Sequence, residues 1–135
     1  MKDSFFIKDL TLSTVLLKND ARFLWIILVP RRENISEIYE LSSHDQQQLM
    51  REITNLSEIL HRMSGAHKMN VAAIGNKVRD LHIHIVARFA HDVCWPEPIW
   101  GRGTSEPYEE ERAQALVEQI QSALEKRVTK VLEAK

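Results

Sequence analysis

A chain of 135 residues, 44% hydrophobic and 27% charged, has the size and makeup of a single globular domain. Its formal net charge of −1 argues against duplex nucleic acid or a membrane as partner. The lone cysteine, Cys94, excludes an intramolecular disulfide, and no apolar run approaches the length of a bilayer span. Residues 1–7 lack the apolar core and cleavage site of a signal peptide, so a cytoplasmic protein is expected. Residues 10–17 are apolar and β-branched enough for a strand. Lys18-Asn19-Asp20-Ala21 reads as a polar turn and residues 22–29 as a second, more buried strand, the two making a hairpin. A helix is predicted near residues 43–64. Ser43 is placed as its N-cap with Gln46 completing a capping box, and Gly65 ends it. Its apolar positions, Leu49, Ile53, Leu56, Leu60 and Met63, recur at helical spacing. Residues 68–74 form a short strand and Gly75-Asn76 a turn. Two prolines and two glycines in residues 95–103 exclude a regular element there. A long C-terminal helix is predicted over residues 106–133, with a stripe of Ala113, Leu116, Val117, Ile120, Leu124, Val128 and Val131. Its acidic start and basic end suit the helix dipole. Strands and helices mix without strict βαβ alternation, so the fold class is α+β.

The chemistry concentrates in Asp80-Leu81-His82-Ile83-His84-Ile85. Polar and apolar residues alternate, as in a half-buried strand, so Asp80, His82 and His84 share one face. A neutral imidazole is a good nucleophile near pH 7, and a neighbouring imidazole or carboxylate can orient it. Asp, His and His at alternate positions also have the donor types of a zinc site, though no Cys-x-x-Cys or His-Glu-x-x-His accompanies them. The plain alternative is the solvated side of a strand. No Gly-x-Ser-x-Gly elbow or phosphate-cradling glycine loop is present. His44, His61 and His67 read as surface residues, and His91 follows the strand closely enough to approach its site. Arg31, Arg32 and Arg79 read as solvated charges, and Trp95 and Trp100 as packing residues.

The stretch Val78-Arg79-Asp80-Leu81-His82-Ile83-His84-Ile85-Val86-Ala87-Arg88 resembles the signature strand of the histidine triad (HIT) proteins. Trp25-Ile26-Ile27-Leu28-Val29-Pro30-Arg31 resembles the family's apolar strand ending in proline and a basic residue. Asn70 resembles the asparagine ahead of the signature turn, and Trp95-Pro96 the tryptophan-proline that follows the strand. The likeness spans residues 5–103 and points to a divergent bacterial branch. Asp80 stands where the family has its first histidine. Asn76 and Lys77 replace the usual Gln-Ser, and no histidine follows the proline-basic pair, where Glu33 and Asn34 stand. The short connection between the N-terminal strands lacks the family's purine-nucleoside elements.

The resemblance implies an antiparallel sheet of about five strands with a central helix. It implies a hydrolase or transferase acting at the α-phosphate of a nucleotide derivative, of the phosphoramidase or dinucleoside polyphosphate hydrolase type. His82 would be the nucleophile, with a covalent nucleotidyl-histidine intermediate. His84 and Asn70 would hold the phosphate, Asn76 and Lys77 would add to that site, and Asp80 would orient or tune an imidazole. The alternative is a non-catalytic module of the same fold that binds a nucleotide or another phosphorylated small molecule. A homodimer is expected, and no metal or cofactor.

Overall fold

A computed structural model describes the backbone of residues 3–133 and the side chains through residue 127. Five strands form one sheet: β1 (Ser4–Asp9), β2 (Ser13–Lys18), β3 (Leu24–Pro30), β4 (Lys68–Ala72) and β5 (Ile83–Arg88). The order across the sheet is β1-β2-β3-β5-β4, and every neighbouring pair is antiparallel. Two helices, α1 (Ser43–Ser64) and α2 (Glu110–Glu133), pack on one face. The α+β class, the five-stranded sheet and the long C-terminal helix agree with expectation. No helix among the described residues is long and apolar enough to cross a membrane.

Several boundaries differ from those predicted, each for a local reason. β1 is an added strand. Its apolar residues, Phe5, Phe6 and Ile7, are consecutive rather than alternating, and the register shifts between Phe6 and Lys8, which turns Ile7 into the core. The predicted strand 10–17 starts only at Ser13. The buried carboxylate of Glu52, on α1, accepts the amide N–H groups of Leu12 (2.8 Å) and Ser13 (3.1 Å) and holds residues 10–12 in the turn. The N-cap of α1 is Ser42, not Ser43, and its hydroxyl accepts the Asp45 N–H at 3.0 Å. The Gln46 amide instead donates to the Leu41 carbonyl, so the expected capping box does not form. Gly65 does end α1, with φ 68°. α2 starts at Glu110 because the preceding residues are tied back to the turn between β2 and β3. Ala21 N–H donates to the Glu106 carbonyl, and Tyr108 N–H to the Asn19 side chain. Val128 and Val131, which continue the predicted stripe, lie outside the described side chains.

The sheet is covered on both faces. On the helix side, Ile26, Leu28, Ile83 and Ile85 pack with Leu49, Leu56 and Leu60 of α1 and Val117 and Ile120 of α2. Full burial of one such side chain is worth roughly 1.5–3 kcal/mol. On the other side, Phe23, Trp25, Ile27 and Val86 pack under Cys94 and Ile99 of the irregular segment that follows β5. Alternation along the histidine stretch sorts the faces only in part: the regular strand begins at Ile83 rather than at Asp80, because the Leu81 N–H is taken by the Ile35 carbonyl, so His82 precedes the strand and Asp80 is exposed. Leu81, Ile83 and Ile85 face the helices, while His84 and Val86 face the second layer.

Candidate functional site

The site lies where β5 begins. His84 is the second residue of β5, opposite Ile27 of β3, and His82 immediately precedes the strand. Their rings stack edge to face with centroids 4.9 Å apart, and each residue is only 6% exposed. The strand places His84, and the backbone of residues 74–82 sets both rings through the Asp80 and Ile74 carbonyls.

His82 Nδ1 lies 2.8 Å from the backbone carbonyl of Asp80. A carbonyl only accepts, so Nδ1 carries a proton, and in the neutral ring the lone pair is then on Nε2. Among the described residues Nε2 has no hydrogen-bond partner. The ring lines a cavity of about 280 Å³ together with Ser36, Glu37, Gly75, Asn76 and Arg79. Gly75 is packed tightly there. A Cβ on it would lie 2.8 Å from the Val78 carbonyl oxygen and 3.6 Å from His82 Cε1.

His84 is held at both nitrogens. The indole N–H of Trp25 donates to Nδ1 at 3.0 Å, and Nε2 lies 3.3 Å from the Ile74 carbonyl, to which it donates. Burial pushes its pKa down to about 4. The Ile74 carbonyl opposes that shift, and the nearby charges of His82 and Lys18 add to it. The ring is therefore neutral near pH 7. Trp100 covers it, with ring centroids 5.5 Å apart, and stands edge-on to Trp25.

The other predicted site residues are placed as follows. Asp80 is exposed, and its contact with His82 runs through the backbone rather than the carboxylate. Asn76 lines the cavity; Lys77 is exposed and does not line it. Asn70 sits opposite Val86, one strand repeat beyond the Ala72–His84 pair, and its Oδ1 accepts from Arg88 at 2.9 Å. Arg88 is 1% exposed. It is paired bidentately with Asp92 at 2.8 and 3.1 Å and lies against the rings of Phe23 and Trp95. Burial pushes the Asp92 carboxyl up, but Arg88 and the amides of Phe89 and Cys94 outweigh it and hold its pKa at about 2. His91 does not reach His82. It lines a larger cleft of about 910 Å³ with Arg22, Phe89, Tyr108 and Arg112, beyond the opposite end of β5. His44, His61 and His67 are exposed, as expected. Among the described residues no three His, Cys, Asp or Glu side chains gather to hold a metal.

Trp25, the Ile74 carbonyl and Gly75 were not singled out from the sequence. A tryptophan inside an apolar strand looks like any other core residue. A glycine before a polar residue signals only a turn.

An antiparallel sheet with helices on one face and two stacked imidazoles at the start of a central strand defines the class of fold and site. The HIT domain family model matches residues 1–91. A histidine triad protein from Marinobacter aquaeolei VT8 is 42% identical in sequence, with 93% of this chain and 91% of that chain covered and a TM-score of 0.90. One from Sinorhizobium meliloti is 40% identical, with 90% of each chain covered and a TM-score of 0.88. One from Bradyrhizobium japonicum is 38% identical, with 90% of this chain and 91% of that chain covered and a TM-score of 0.88. No curated protein matches the chain. The chain belongs to the HIT domain family.

Proposed function

We propose that this protein is a nucleotidyl hydrolase or transferase that works through His82. The observation that carries this reading is the hydrogen bond from His82 Nδ1–H to the Asp80 carbonyl, which in the neutral ring puts the lone pair on Nε2, with His82 lining a small polar cavity. In the proposed reaction Nε2 attacks the α-phosphorus of a nucleotide derivative. The N–P bond forms as the bond to the leaving group breaks, and an amine leaving group departs with a proton taken from water. The ring is then a phosphorylated imidazolium whose remaining N–H still points at the Asp80 carbonyl. Water attacks the same phosphorus, the N–P bond breaks, and a nucleoside monophosphate is released with His82 restored.

A second reading is a binding module of the same fold without turnover. It is favoured by the commitment of both His84 nitrogens and of the Asn70 carbonyl oxygen to protein partners. The discriminating experiment offers adenosine 5′-phosphoramidate and a dinucleoside polyphosphate to the protein, with mass spectrometry of acid- and base-quenched samples. The enzyme reading expects monophosphate release and a nucleotidyl adduct, both lost in His82→Ala, with a rate loss on the order of 10⁴ or more. Binding without release or adduct establishes the module.

Self-association belongs to the same reading. β4 is an edge strand with Val71 exposed, so a second copy pairing along it would extend the sheet and cover apolar surface. Light scattering at micromolar concentration tests this, with the dimer mass as the expected result. A reducing, cytoplasmic setting suits Cys94, which is free and buried.

A further inference from the structure

We propose that Arg79 binds the phosphate presented to His82, and that Glu37, on the wall of the same cavity, restricts that site to a single phosphate group. The inference rests on the reading of His82 as the residue that meets phosphorus. The residues expected to hold the phosphate are spoken for. His84 donates its one N–H to the Ile74 carbonyl and accepts from Trp25. Asn70 lies a strand repeat away beside Arg88 and does not line the cavity, and Lys77 does not line it either. Among the described residues, Arg79 is the only lysine or arginine that lines the cavity with His82. Its guanidinium can bind phosphate oxygens through paired N–H donors, and the Asn76 side chain adds neutral donors on the same wall.

The charge count then selects the substrate. The cavity is lined by one cation, Arg79, and one carboxylate, Glu37, and the Glu40 carboxylate, bonded to Ser36 and to the Glu37 N–H on that wall, also faces Arg79. A phosphate bearing one negative charge, as in a phosphoramidate or a mixed anhydride, matches Arg79. A chain of phosphates brings further negative charge against Glu37 with no second cation to meet it. About 280 Å³ also suits a phosphate and a small neighbouring group, with the rest of the ligand outside. The substrate class is thus a nucleotide derivative with a single reactive phosphate, in preference to a polyphosphate.

The test is an NMR titration of the full chain with the methyl ester of adenosine monophosphate, whose phosphate carries one negative charge, and, separately, adenosine triphosphate, read at the His82 ring resonances. Wild type should bind the ester more tightly. Arg79→Ala should weaken that binding about 10- to 100-fold, the loss of a charge-assisted contact, and Arg79→Lys should recover part of it. Glu37→Gln should improve triphosphate binding relative to the ester by about fivefold. Amide spectra report that each variant is folded. Unchanged ester binding in Arg79→Ala, no binding by wild type, or a triphosphate preference that Glu37→Gln leaves alone would overturn the proposal. A missing adduct on His82 would overturn the hydrolase reading and leave this binding result standing.

Discussion

The indole of Trp25 donates its N–H to Nδ1 of His84, and because an indole can only donate, the imidazole at the other end is neutral. Protonating His84 would set two N–H groups against each other inside an apolar layer. The ring next to the proposed nucleophile is therefore a fixed dipole and not a source of positive charge.

This arrangement predicts an acid-sensitive fold. Burial lowers the His84 pKa from 6.5 to about 4, so the unfolded chain takes up this proton before the native protein does. The stabilising contribution is complete above pH 6.5 and is lost as pH falls toward 4. It amounts to about 3 kcal/mol from this group. Urea unfolding at pH 7.5 and 4 measures it. In Trp25→Phe the donor is gone, the His84 pKa moves back up, and the difference between the two pH values shrinks. Equal pH dependence in both proteins would contradict the assigned tautomer.

Asp80 contributes its carbonyl, which every amino acid has. Asp80→Asn and Asp80→Ala are expected to change kcat less than about threefold, since the hydrogen bond that orients His82 survives both. A fall of a hundredfold in a steady-state assay would show that the carboxylate itself acts in the reaction.

Gly75→Ala should separate activity from stability. The new Cβ would lie 2.8 Å from the Val78 carbonyl oxygen, so the loop beside His82 must move. A displacement of even 1 Å at a reacting group costs on the order of 10² in rate. The loop is exposed, so thermal unfolding should change little. Wild-type turnover in this variant would show that the loop geometry around His82 is not needed.

Arg88→Met leaves Asp92 charged and without its partner in a buried turn. Breaking such a pair costs about 3–5 kcal/mol, which should appear as a lower urea midpoint with an unchanged slope. Asp92→Asn should cost less, because its side chain can still accept some of the amide N–H groups of Phe89, Cys94 and Trp95.

The parts of this molecule that were legible in the sequence are those with a period. The alternation through Ile83, His84 and Ile85 sorted the two faces of β5, and the spacing of Leu49, Ile53, Leu56 and Leu60 placed α1. β1 was missed because a bulge at Ile7 replaces alternation with three consecutive apolar residues. The partners of the site were not legible. Asn70 meets an arginine 18 positions away, and His84 meets a tryptophan 59 positions away, pairings that only the strand order β3-β5-β4 creates. Arg79 read as a solvated charge because nothing in its neighbours reveals that residues 73–82 fold into a cavity wall.

The two-sided covering of the sheet has an optical consequence. All three tryptophans of the chain, Trp25, Trp95 and Trp100, lie in the layer away from the helices: Trp25 and Trp100 around His84, and Trp95 against Arg88. Intrinsic fluorescence therefore watches the site layer alone, while far-ultraviolet circular dichroism is dominated by α1 and α2. Coincident melting curves from the two signals would mean that the layers break together, and an earlier fluorescence transition would mean that the histidines become exposed to water while the helical side still stands.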